Sequence, residues 1–146
     1  MALEFTDFLA RIIASVVLGA IIGVEREYHK RPAGVLTLPL VALASALMTI
    51  VSFSAPGNTN STTIVAGIAS GIGFIGAGAI LKVKDTVHGI TTAASIWVVA
   101  ALGMACGFGY FAEAAATAVL GVLVILVGYP IKDYLESKPN TKRRRD

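Results

Sequence analysis

Gly71-Ile72-Gly73-Phe74-Ile75-Gly76-Ala77-Gly78 lies within a run that carries no charge from Ser54 to Leu81. The string contains the GxGxxG spacing of a dinucleotide site. That fingerprint requires a strand, a tight turn and a helix opening onto a pyrophosphate. Here the flanks, Ile64 to Ser70 and Ala79 to Leu81, leave no room for a solvated turn. In an apolar helix, glycines at this spacing let a second helix backbone approach closely, or loosen a helix beside a polar cavity. The stretch is therefore read as part of a membrane-spanning helix.

The rest of the chain agrees. Of 146 residues, 55% are hydrophobic and only 14% charged, against about 25% charged in ordinary soluble domains. The charges are clustered, and the apolar intervals between them approach the roughly 20 residues a spanning helix needs. Five spans are expected: about Phe8 to Val24, Leu38 to Ala55, Ile64 to Leu81, Ile90 to Phe108 and Ala112 to Ile131. Thr37 can cap the second span, and Pro39 falls in its first turn, where proline is tolerated. Pro56-Gly57-Asn58 ends that span, and Asn58 to Thr63 make a polar hairpin. Lys82 to Gly89 is read as a charged connector. Glu4 and Asp7 precede the first apolar run, unlike the basic start of a signal peptide, so that segment is expected to remain as a span.

Basic residues set the orientation. Arg26, Lys30, Arg31, Lys82, Lys84, Lys132, Lys138, Lys142, Arg143, Arg144 and Arg145 all fall after odd-numbered spans, and only Arg11 lies elsewhere, inside the first span. The positive-inside rule then puts the N-terminus outside and the C-terminus in the cytoplasm. The expected organisation is an all-α integral membrane domain over residues 1–131, a bundle of about five transmembrane helices, followed by a basic cytoplasmic tail over 132–146. The tail reads as a topology anchor that also attracts anionic lipid. Nothing aromatic is interleaved there, so nucleic acid is not an expected partner.

A few polar groups stand in or near the bilayer. Arg11 is costly at that depth unless it snorkels or faces a cavity, and Asp7, four residues earlier on the same face, is its natural partner. Glu25, Arg26 and Glu27 close the first span. A solvated helix end is the ordinary reading, with Glu25 also placed to pair with a basic residue of the next connector or to meet a cation. Thr91, Thr92 and Ser95 open the fourth span; they can cap it, bond back to the preceding turn or cross to a neighbouring helix, with capping preferred. His29 and His88 are expected to be solvated, Trp97 to pack on glycine surfaces, and Cys106 to be structural filler. Any metal site is left open. No nucleophile–base set, P-loop or metalloprotease helix appears, so no enzyme activity and no cofactor is expected.

Glycines are the other recurring feature. Gly19 and Gly23, Gly67 and Gly71, and Gly103 and Gly107 each form a GxxxG face, which points to close helix packing. With Gly73, Gly76 and Gly78 they form the set of expected packing positions. The spacing leaves open whether each face meets a helix of this chain, of a second copy in a homo-oligomer, or of another membrane protein.

Taken in order, Gly19-x3-Gly23-Val24-Glu25-Arg26-Glu27, Pro32-Ala33-Gly34, Leu40-Val41, Ser70-Gly71-Ile72-Gly73-Phe74-Ile75-Gly76-Ala77-Gly78-x-Ile80, Gly89-Ile90-Thr91-Thr92-Ala93-Ala94-Ser95-Ile96-Trp97, Gly103 and Gly107-Phe108-Gly109-Tyr110 resemble the membrane domain of the MgtC/SapB family. The resemblance runs from about Arg11 to Tyr129. It implies a prokaryotic inner-membrane protein linked to magnesium homeostasis, growth at low magnesium and intracellular virulence. It further implies action as a non-enzymatic regulator of other membrane machinery, including the F-type ATP synthase. The alternative, an older label for such proteins, is a small transporter or channel for magnesium, another divalent cation or another solute. Two departures stand out. Leu36 occupies a position where the family usually has arginine, and Asn60 to Ile64 lack the basic residue that often precedes the glycine ladder. Many members also append a small cytosolic α/β domain, where this sequence runs into a short basic tail.

Overall fold

A computed structural model describes residues 3–54, 61–84 and 86–137. Among them are five helices and one two-stranded hairpin: α1 (Phe5–Tyr28), α2 (Thr37–Ser54), α3 (Ser61–Gly78), β1 (Leu81–Val83), β2 (Thr86–His88), α4 (Ile90–Phe108) and α5 (Phe111–Ser137). The expected stop at Pro56-Gly57-Asn58 and the basic tail from Lys138 lie outside the described residues.

The all-α reading holds, with differences at the edges. α1, α4 and the Phe111–Lys132 part of α5 are long and apolar enough to cross a membrane, whereas α2 and α3 are apolar but shorter. At 18 residues each, α2 and α3 reach about 27 Å, close to the thickness of a hydrocarbon core. α3 is continuous through its glycines but ends at Gly78, three residues before the expected boundary. Two glycines in its last turn weaken the helix there, and Leu81 instead opens β1. The expected connector is thus an antiparallel hairpin, with Leu81 opposite His88 and Val83 opposite Thr86. α5 continues past Ile131 to Ser137 and keeps Pro130 within it.

α4 is the hub, touching each of the other four helices. Its buried residues Ile96, Val99, Leu102 and Cys106 meet Ile22 of α1, Leu38 and Ala42 of α2, Ile68 and Ile72 of α3, and Ala114 and Ala118 of α5 in one core. The outer faces expose large apolar side chains such as Val17, Val24, Phe74, Leu120, Val124 and Val127. An apolar belt of this extent is unfavourable in water and suits lipid.

α2 is clamped between two glycine faces. A Cβ at Gly19 would meet Ala42 Cβ at 3.0 Å and Pro39 Cα at 3.1 Å, and one at Gly23 would meet the Gly34 carbonyl oxygen at 3.0 Å. From the other side, a Cβ at Gly103 would overlap the Ala42 carbonyl oxygen, and one at Gly107 would meet Thr49 Cβ at 2.7 Å. Ala42 thus touches both faces, and no larger residue fits between them. Three hydroxyls buried along α1 and α2 are satisfied locally: Ser15 donates to the Ile12 carbonyl, Thr49 to the Ser45 carbonyl and Ser52 to the Thr49 carbonyl, at 2.6–2.7 Å.

Candidate functional site

Three features remain once the core is accounted for: an arginine at each end of the bundle, and an open groove along α3.

At one end, Arg11 turns inward. Its Nη1 donates to the Gly107 carbonyl at 2.6 Å, and its guanidinium lies 5.7 Å from the centre of the Phe53 ring. It packs beneath Gly109, whose φ of +90° ends α4 in the left-handed conformation. A cation on the unpaired carbonyls at a helix C-terminus is favourable. This differs from the expected pairing with Asp7, which is exposed and forms no ion pair with Arg11. The tertiary acceptor wins because a bare carbonyl at a buried helix end needs a donor, whereas Asp7 keeps its water.

At the other end, Arg26 is only 1% exposed, which overturns the reading of a solvated helix end. Its Nη1 donates to the Tyr129 hydroxyl at 2.7 Å and its Nη2 to Thr92 Oγ1 at 2.7 Å, while Nε has no hydrogen-bond partner. The clamp ties α1 to the start of α4 and the far part of α5. Arg31 adds to it, its guanidinium 4.8 Å from the centre of the Tyr129 ring. Glu25 is buried too, but turned elsewhere. His29 Nδ1 stands 2.8 Å from Glu25 Oε1 and 3.0 Å from the Glu25 backbone carbonyl oxygen. The hydrogen-bond geometry favours the carbonyl, so the carboxylate is held by proximity to the imidazole, and neither of its oxygens has another partner. No basic residue of the hairpin reaches Glu25, and His29 is half-buried rather than solvated.

The hydroxyls at the start of α4 do not cap it. Gly89, with φ +87°, is the N-cap and offers no side chain. Thr92 serves Arg26 instead, Ser95 donates back to the Thr91 carbonyl at 2.8 Å, and Thr91 is exposed. Trp97 is 46% exposed on the outer surface of α4, not packed on the glycine faces. Cys106 is fully buried. Among the described residues, no group of three His, Cys, Asp or Glu side chains stands together in a way that could hold a metal ion.

The third feature is the glycine ladder itself. Gly76 approaches Ala93 of α4, with a Cβ there 3.6 Å from the alanine Cβ, but Gly67, Gly71, Gly73 and Gly78 have nothing within 4 Å of where a Cβ would stand. Gly67 and Gly71 line a groove of about 950 Å³ between α2 and α3, bordered by Leu40, Ala44, Met48 and Phe74. Leu36, in the position where arginine was expected by resemblance, is exposed at the groove and makes it still more apolar. The GxxxG faces thus divide. Those of α1 and α4 close on α2 and the segment leading into it, and Gly67 and Gly71 of α3 meet none of the described residues.

Tyr129 carries little signal of its role in the sequence. Its only signal is a hydroxyl-bearing aromatic beside Pro130 near the end of an apolar run, and nothing local links it to an arginine 103 positions away.

Comparison with known proteins follows the same stretch of chain. The model of the MgtC family matches residues 12–134. The chain is 40% identical over 141 residues to an uncharacterized protein of Synechocystis, covering 94% of this chain and 58% of the relative. It is 39% identical over 127 residues to Protein MgtC of Brucella melitensis, covering 87% and 53%. It is 38% identical over 113 residues to Protein MgtC of Salmonella typhimurium strain LT2, covering 77% and 48%. The chain therefore spans about half to three fifths of the length of these curated relatives. No solved structure matches.

Proposed function

The chain belongs to the MgtC family, and from that premise we propose that it is a multi-pass inner-membrane protein that regulates another membrane protein by direct helix contact, without catalysing a reaction itself. The observation that carries this reading is the unoccupied glycine face of α3. Gly67 and Gly71 present bare backbone along an apolar groove, while the Gly19/Gly23 and Gly103/Gly107 faces are filled. Association of helices in lipid depends on such close backbone approach, because lipid tails already satisfy apolar side chains. The occupant is an apolar helix of a partner. The F-type ATP synthase is the partner implied by family resemblance, and growth under limiting magnesium the setting. The end bearing Arg26, Lys30, Arg31 and Lys132 faces the cytoplasm by the positive-inside rule.

A conduction path is less well supported. Between Arg11 and Arg26 the interior is filled by Ile22, Val99, Leu102 and Cys106, and the buried hydroxyls of Ser15, Thr49 and Ser52 are spent on their own helices' backbone. The test is recovery of partners from native membranes with the tagged full chain and with Gly67→Leu/Gly71→Leu. Open space at both positions lets the double variant fold. Gly23 and Gly76 are unsuitable, since each is packed within the bundle. Loss of a partner that the parent retains supports the proposal; a folded double variant that keeps every partner of the parent refutes it.

A further inference from the structure

We propose that the cavity beside Arg26 binds a phosphate-bearing anion. The cavity holds about 390 Å³ and lies where the end of α1, the hairpin, the start of α4 and α5 converge. It is separate from the α2–α3 groove and independent of the regulatory reading. Among its described lining residues are Arg26, Lys30, Arg31, His88 and Lys132, and no carboxylate.

Arg26 is the reason the cavity needs an anion. A guanidinium buried to 1% exposure carries a charge that neutral acceptors do not cancel, and both its hydrogen bonds go to hydroxyls. Among the described residues no ion pair joins it to a carboxylate; the adjacent Glu25 is turned toward His29 and does not line the cavity. Its Nε is still unpartnered. A buried cation held open in this way, facing a basic cavity, is an incomplete pair.

The walls fit a tetrahedral oxyanion better than a carboxylate. Tyr129, Thr91 and Thr92 bring hydroxyls, and Arg31 and Lys30 bring charge from a second direction. The start of α4 also opens here. Its N-cap is Gly89, and no side chain caps the first turn, so its backbone N–H groups and positive dipole end favour an anion. Gly89 cannot be replaced without disturbing this arrangement, since its φ is +87° and a Cβ would overlap the Ala79 carbonyl oxygen. The volume, toward the small end of small-molecule sites, leaves room for the group to which the phosphate is esterified. The shared chemistry is a phosphate group, supplied by an anionic lipid headgroup or by a soluble phosphate.

The experiment is calorimetric titration of the full chain in neutral detergent. Two probes are used, inorganic phosphate and a short-chain phosphatidylglycerol below its micellar concentration. The variants are Arg26→Gln and the double substitution Lys30→Gln/Arg31→Gln, with thermal melting to confirm folding. Saturable binding is expected, weakened about tenfold or more by Arg26→Gln, as for loss of a charge-assisted hydrogen bond. The double variant should weaken it about five- to twentyfold. Lys30 and Arg31 are exposed, so this variant carries the test if Arg26→Gln does not fold. Binding of the lipid alone identifies a headgroup site, and binding of inorganic phosphate identifies a soluble source. Absence of saturable binding by both probes, or parental affinity in the folded variants, overturns the proposal.

Discussion

The same chemical change, glycine to alanine at the centre of an apolar helix, should have opposite effects at Gly103 and Gly71. At Gly103 the new Cβ would overlap the Ala42 carbonyl oxygen and stand 2.9 Å from Ala42 Cα and 3.0 Å from its carbonyl carbon. All three are backbone atoms, so no rotamer change relieves them. Carbon atoms prefer separations of about 3.5–4.0 Å, so α2 must retreat by about 0.5–1 Å. Overpacking of this kind costs about 1–3 kcal/mol, partly offset by the 0.5–1 kcal/mol or so that alanine gains over glycine within a helix. The net expectation for Gly103→Ala is a loss of about 1–2 kcal/mol. At Gly71 nothing lies within 4 Å of the added atom, so only the propensity gain remains, and Gly71→Ala should be neutral or stabilising by up to about 1 kcal/mol. Equilibrium unfolding of the purified protein in mixed micelles, titrated with denaturing detergent, measures both. If the two variants move stability in the same direction by similar amounts, the division of glycine faces into filled and open is wrong.

Three further outcomes are expected. Arg11→Met should destabilise by about 1.5–3 kcal/mol, the range for a hydrogen bond to a charged group, while Asp7→Asn should change stability by less than about 0.5 kcal/mol; equal losses in the same unfolding assay would restore the Asp7–Arg11 pair. Tyr129→Phe should cost about 1.5–3 kcal/mol, because it leaves Nη1 of a buried guanidinium without its acceptor, and a second substitution, Arg26→Met, should largely abolish that cost in a double-mutant cycle; independent, additive losses would refute the clamp. Liposomes containing only the purified chain should admit magnesium no faster than empty liposomes, as measured with a trapped indicator; saturable entry altered by Arg11→Ala would establish transport instead.

The helix bundle could be read from sequence because long apolar runs bounded by charge have few alternatives in a membrane. Ile90 and Phe108 bound α4 where expected, and α2 begins at Thr37, which is its first helical residue rather than its cap. The end of α3 was harder to place. Ile80, Leu81 and Val83 continue the apolar run but suit a strand as well as a helix, and periodicity cannot separate the two over so few residues. The glycine faces show the larger limit. Gly19/Gly23, Gly67/Gly71 and Gly103/Gly107 have one spacing but are filled in two cases and open in one, since occupancy depends on how the other four helices are arranged around α4. Arg11 and Arg26 were visible as charges in apolar surroundings, but their acceptors, Gly107 and Tyr129, lie 96 and 103 positions away. Local spacing offered Arg11 a carboxylate four residues off and Arg26 a solvated end, and tertiary hydrogen bonds to both ends of α4 prevailed over both.

The most direct measurement is photocrosslinking in native membranes with a photoreactive residue at Phe74, on the rim of the α2–α3 groove, and at Val119, exposed on α5 away from it. The account predicts a discrete adduct with another membrane protein from position 74, absent from position 119 and lost in Gly67→Leu/Gly71→Leu. Lipid adducts alone at position 74, or the same protein adducts from both positions and in the double variant, would contradict it.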